Sequence, residues 1–202
     1  ANFPLEFLCG LMACDAGDSD KLYNLVADAK ARGIEVLPPD VNRSEIHFTV
    51  DRKAIRFALI AIKGVGEPAA KAIVAGREAA GGAFRDLDHF CDQVSMEHCC
   101  KGAMEALIFA GAMDPICPTR NQALAELERA MRAAAEIQAD RRRGQGSLFG
   151  GAGEVAVRAS GCGRRQAANL PEWDQREKLA REKEALGFFL SGHPFAEKGN
   201  FY

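Results

Sequence analysis

The chain has 202 residues, room for one large domain or two small ones, and 48% of them are hydrophobic with a single Trp and two Tyr. A formal net charge of −2 excludes a uniformly basic coat for nucleic acid, so contact with a polyanion has to come from a local patch. No apolar run reaches transmembrane length and no signal peptide is evident, and seven unevenly spread cysteines point to reduced thiols in the cytoplasm rather than a disulfide framework.

The start, Ala-Asn-Phe-Pro without Met, reads as a piece cut from a longer protein. Residues 3–14 are expected to form a helix with Phe3, Phe7, Leu8, Leu11 and Met12 on one side. After a polar loop, Asp18 or Ser19 is placed to cap a second helix that turns Leu22, Leu25, Val26 and Ala29 inward and stops at Gly33. The period then changes. Residues 34–37 read as a short strand, and residues 46–50 and 55–59 as a pair of strands joined by a turn at 51–54. His47 falls on the solvent side of its strand.

The stretch 61–73 departs from both patterns. Lys63-Gly64-Val65-Gly66 is followed by Pro68 and by Ala69, Ala70, Ile73 and Val74 at helical spacing. Glycines before a helix can leave main-chain N–H groups outward, beside the positive end of the helix dipole, where a phosphate oxygen fits. Pro68 suits the first helical turn. Lys63 and Lys71 flank the turn and add charge. This is the pattern of a helix-hairpin-helix element, which holds DNA by its backbone without reading bases.

Phe84, Leu87 and Phe90 are expected in a short helix, and Cys99-Cys100-Lys101-Gly102 stands where a second hairpin turn would be, before a helix at 104–109 closed by Gly111. This second unit has one glycine where the first has two, and Lys101 is its cation. His89, Cys91, His98, Cys99 and Cys100 cluster in sequence, but without a Cys-x-x-Cys pair they do not have zinc-finger spacing, and no metal site is assigned. Residues 119–139 read as a strong helix. Thr119 and Gln122 suit a capping box, Leu124, Leu127, Met131 and Ala134 line one face, and Arg120, Glu126, Glu128, Arg129 and Arg132 stay wet.

From 144 to 163 seven of twenty residues are glycine, and between 138 and 165 six arginines stand against Asp140 and Glu154, a local charge of 6 − 2 = +4. Within this linker Gln145-Gly146-Ser147-Leu148-Phe149 carries two large apolar side chains, suited to a pocket on another protein. Residues 173–186 read as a charged helix with Glu177–Arg181 and Lys178–Glu182 pairs, ended by Gly187.

Six stretches, in order, resemble the alpha subunit of bacterial DNA polymerase III, a family of C-type replicative polymerases. They are residues 3–7; Ala31-Arg32-Gly33-Ile34-Glu35-Val36-Leu37-Pro38-Pro39-Asp40-Val41-Asn42; Ala61-Ile62-Lys63-Gly64-Val65-Gly66; residues 104–108 with Gly111-Ala112; Gly144-Gln145-Gly146-Ser147-Leu148-Phe149; and residues 182–187 with 190–194. The resemblance implies a mainly α fold with a small β-hairpin. In it residues 1–54 end the fingers domain, 55–140 form a tandem helix-hairpin-helix domain, and 141–170 form a flexible linker. Residues 171–202 lead towards an oligonucleotide-binding domain. It implies duplex DNA contact at Lys63, Gly64, Val65, Gly66, Lys71 and Lys101, and sliding-clamp contact at Gln145, Ser147, Leu148 and Phe149. Other replicase subunits are implied as partners, and no membrane. The magnesium-holding aspartates of the family's palm are not among these residues, so no catalytic residue and no cofactor is assigned here. The reading from another class is a helix-hairpin-helix base-excision enzyme, with Asp86, Asp88 or Asp92 downstream of the hairpin as its carboxylate. A purely structural, Ala-rich adaptor leaves Gln145 to Phe149 and the Lys63 hairpin without a purpose.

Overall fold

The computed structural model describes residues 3–142 and 170–192. Helix α1 (Pro4–Cys14) starts on Pro4, which needs no N–H partner in a first turn. Asp18 caps α2 (Ser19–Ala31), its carboxylate accepting the amides of Asp20 and Lys21 at 3.1 Å each. The chain leaves α2 through Gly33 at φ +73. Leu22, Val26 and Ala29 of α2 are buried and Leu25 is partly so. The α1 face differs from expectation: Leu8, Cys9 and Met12 are buried, whereas Phe3 and Phe7 are 68% and 58% exposed. Only one ridge of α1 meets α2 and the hairpin strands, and the Phe3–Phe7 ridge lies beside it.

The sheet is small and mixed. Strands β1 (Glu35–Leu37), β2 (Thr49–Asp51) and β3 (Ala54–Arg56) lie in the order β1-β3-β2. β2 and β3 form the expected antiparallel hairpin, with Val50 opposite Ile55. The strands are shorter than the alternation suggested, because Ile60 donates its amide to the Ile46 carbonyl and Leu59 to that of Glu45, outside the ladder. β1 runs parallel to β3, Val36 beside Ile55. His47 is exposed, as expected of a solvent-side residue.

Residues 38–45 fasten this sheet to the helices. Asp40 accepts the Asn42 amide at 2.7 Å, forming a tight side-chain turn. Asn42 then exchanges two bonds with the Phe84 backbone, at 3.1 and 2.7 Å. Ser44, wholly buried, donates to the Phe57 carbonyl at 2.7 Å. Arg77, reaching from α3 (Glu67–Ala79), donates to the Ser44 carbonyl at 2.7 Å and to Glu45 at 2.5 Å. The polar residues of the Pro38–Asn42 stretch are therefore consumed in joining elements.

Helix α4 (Leu87–Gln93) is capped by Asp86, and α5 (Lys101–Phe109) ends at Gly111 with φ +78. Helix α6 (Arg120–Arg142) packs along both. Leu127 and Ala134 are buried, while Leu124 and Met131 are partly so. The capping box is only half made. Thr119 accepts the Gln122 amide at 3.1 Å, but the Gln122 side chain turns to Glu126 rather than back to the Thr119 amide; the Arg120 amide donates to Glu172. Arg120 does not stay wet. Its side chain is 10% exposed, lies across Gly111 and grips Asp114 with two bonds, because the glycine turn leaves open a slot that a side chain would fill.

Helix α7 (Gln175–Leu186) docks back on this body. Arg181 stacks over Trp173 at 4.0 Å and Phe109 at 5.0 Å and pairs with Glu177 as the spacing predicts. The Lys178–Glu182 pair does not form. Lys178 binds Glu172, and Glu182, 3% exposed, turns inward to accept the amides of Leu190 and Ser191 and the Ser191 hydroxyl. Tertiary partners win because these donors are shielded from water, whereas an i,i+4 pair on a wet face contributes little. The described residues are thus mainly helical with a three-stranded sheet, and most of their buried apolar side chains form one cluster between Leu8 and Leu190.

Candidate nucleic-acid interface

The hairpin begins after a short 3-10 turn at Leu59–Ala61. Its amides divide into two sets. Lys63 donates its N–H to the Ala185 carbonyl at 2.8 Å and Val65 to the Ile62 carbonyl at 3.0 Å. The amides of Gly64, Gly66 and Glu67 find no acceptor among the described residues, and all three residues are exposed. They stand at the N-terminal end of α3, whose N-cap Gly66 offers no side-chain cap. Val65 between them is 3% exposed and plugs the turn into the core. The two glycines are not equivalent. Gly64 has φ +88, which other residues rarely adopt, whereas Gly66 has φ −76 and needs no such freedom.

A cavity of about 330 Å³ opens beside the turn, lined in part by Ser19, Lys63, Gly64, Gly66 and Leu186. A wider groove of about 640 Å³ runs along α3 between Glu67, Lys71, Gly76 and the 93–98 loop, with His98 on its rim. The floor of that groove is close: a Cβ on Gly76 would stand 2.9 Å from the Gln93 carbonyl oxygen.

Of the three lysines expected at phosphate, Lys63 alone has no carboxylate partner among the described residues. Its Nζ lies over the Gly187 turn, 2.9 Å from where a Gly187 Cβ would stand. Lys71 pairs with Glu67 at 2.7 Å, and that contact holds the Glu67 carboxyl below its ordinary range. Lys101 is bound by Glu128 at 2.5 Å and faces Glu105 at 3.7 Å. The first turns of α5 nevertheless lie against the Gly64 turn. A Cβ on Gly64 would stand 3.6 Å from Ala106 Cβ and 3.9 Å from the Gly102 carbonyl oxygen. The structure therefore brings Lys63, Gly64, Val65 and Gly66 together with the start of α5, while Lys71 lies a turn along α3. Gln145, Ser147, Leu148 and Phe149 lie outside the described residues.

Two of the three carboxylates considered for base excision have structural duties. Asp86 caps α4 through the His89 amide at 2.8 Å, and Asp88 pairs with Arg129 at 3.1 Å. Asp92 lies in the last turn of the same helix. Cys91 and Cys99 are wholly buried, and burial pushes both thiols up, Cys99 to about 12. Burial likewise raises Cys117 to about 12. No group of three or more His, Cys, Asp or Glu among the described residues could hold a metal ion. No described helix is long and apolar enough to cross a membrane. Residue spacing did not reveal the Glu182 turn or the Lys63 contact with Ala185, which join residues far apart in the chain.

A family model described as a helix-hairpin-helix motif matches residues 33–123. The DNA polymerase III subunit alpha of Neisseria meningitidis serogroup B is 42% identical over 197 residues, covering 96% of this chain and 16% of that protein. The subunits of that name from Deinococcus radiodurans and Thermus aquaticus are 40% and 42% identical over 98% and 96% of the chain, which spans 14% and 15% of their lengths. Along nearly its whole length, then, this chain corresponds to one helix-hairpin-helix segment of the DNA polymerase III alpha subunits, about a sixth of their length.

Proposed function

We propose that this segment holds the sugar-phosphate backbone of duplex DNA, within a polymerase whose nucleotidyl-transfer chemistry is done by other residues. The observation that carries the reading is the set of amides at Gly64, Gly66 and Glu67, on exposed residues and without an acceptor among the described residues, beside Lys63, which has no carboxylate partner among them. Such a cradle accepts a phosphate oxygen whatever the base sequence, as a replicase requires. In this reading residues 1–54 close the fingers domain, 55–140 are the duplex-holding domain and 171–202 lead into an oligonucleotide-binding domain. Magnesium acts at a palm outside these residues.

The test is binding of the 202-residue chain to a short random-sequence duplex as salt rises. Two or three phosphate contacts predict a log–log slope of about −2 to −3. Binding that is absent at low salt, or indifferent to salt, would falsify the reading.

Residues 145–149 are proposed as the peptide that docks the sliding clamp. Leu148 and Phe149 fill an apolar cleft while Gln145 hydrogen-bonds at its edge, and the tether raises the local concentration of polymerase on its template. Changing Leu148 and Phe149 together to Ala is expected to weaken clamp binding at least about tenfold, as loss of two buried anchors does. Unchanged affinity by surface plasmon resonance refutes the assignment.

A further inference from the structure

Lys101 opens α5 on the same edge as the free amides of the first hairpin. Like α3, this helix begins without a side-chain cap. The amides of Lys101, Gly102 and Ala103 find no acceptor among the described residues. Its lysine, however, is held. Glu128, from the middle of α6, places Oε1 2.5 Å from the Lys101 Nζ, and Glu105 adds a second carboxylate at 3.7 Å. Arg132 is the cation that acts on Glu128 from its own helix. An anionic oxygen therefore already sits on the cation that the second hairpin would offer to DNA.

We propose that Glu128 is an internal substitute for a DNA phosphate, which duplex must displace from Lys101 before the second hairpin engages. The proposal rests on the duplex-binding reading above. Lys101 and Glu128 are 52% and 61% exposed, so the pair is open to exchange with a competing anion. Hydrogen bonding to Lys101 keeps the Glu128 carboxyl below its ordinary range, and the same bond raises Lys101, so both are charged at neutral pH. A phosphate is the stronger competitor because it also faces the uncapped start of α5.

The experiment compares the unaltered chain, E128Q, K101A and the double variant E128Q/K101A by fluorescence anisotropy with a labelled duplex from 50 to 200 mM salt. E128Q is expected to bind about two- to fivefold tighter and to steepen the salt slope by about 0.9, one added phosphate contact. K101A alone is expected to bind more weakly than the unaltered chain, and the double variant to lose the gain that E128Q gives. A gain that persists in the double variant reflects bulk charge alone and overturns the proposal, as does no gain in E128Q. If the unaltered chain binds with a salt slope and E128Q does not differ, only the Glu128 role falls. If the unaltered chain does not bind at all, the duplex reading falls with it.

Discussion

Gly64→Val is expected to lower duplex affinity by at least about tenfold while leaving the chain folded. The residue sits at φ +88, where an L side chain costs about 1–2 kcal/mol and a β-branched one more. A Cβ itself would meet its neighbours at 3.6 Å or more, so the strain is in the backbone angle. The turn escapes the strain by rotating its peptides, and rotation re-aims the amides that face solvent. Gly66→Ala is the contrast. Its backbone is already extended and its nearest neighbour is Pro68 Cδ at 3.6 Å, so the amide stays where it is. The strain alone lowers Tm by roughly 2–8 °C in a chain of this size, which separates a re-aimed turn from a lost fold. Anisotropy and thermal melting of the two variants decide the matter. Equal affinity for both sinks the idea that these amides bear the phosphate.

Arg77→Ala is expected to destabilise the fold by about 2–4 kcal/mol, among the largest single-site losses outside the apolar core. Arg77 is 8% exposed and its guanidinium is shared between the Ser44 carbonyl, the Glu45 carboxylate and, more distantly, the Val41 carbonyl. Removing it leaves inward carbonyls without a donor, and their desolvation is then uncompensated. Glu45 is 47% exposed and rehydrates, which keeps the loss below that of a fully buried pair. Urea unfolding measures it. Arg129→Ala, which breaks an exposed pair with Asp88, serves as the reference and is expected to change stability by less than about 1 kcal/mol. Similar small losses for both would mean that the 41–45 loop holds its place without Arg77.

Local signals in the sequence were legible where the partner lies within a few residues. Asp18 caps α2, Gly33 and Gly187 end helices in the left-handed region, Glu177 meets Arg181, and β2 and β3 pair across a short turn. The family resemblance rested on motifs of this kind. Contacts made across the fold were not legible. Arg120 had the look of a wet helical residue until the Gly111 turn supplied its slot, and Glu182 had a nearby Lys178 but took buried amides instead. Phe3 and Phe7 share the hydrophobic character of Leu8 and Met12, and only the packing of α1 separates the exposed ridge from the buried one. At the hairpin, composition gave the glycines and lysines. It did not show that Gly64 alone uses the unusual backbone angle, or that Lys71 and Lys101 already hold carboxylates.

The docking of α7 sets a limit on how short a DNA-holding piece can be. Lys63 rests its backbone on the Ala185 carbonyl and its ammonium over Gly187, and Leu186 walls the neighbouring cavity. A chain trimmed after α6 would retain every residue of both hairpins yet lose the buttress behind the first. On the proposed reading, grip on the duplex depends on two stretches far apart in sequence, and a protease cut between α6 and α7 that freed α7 is expected to loosen it while leaving both hairpins intact.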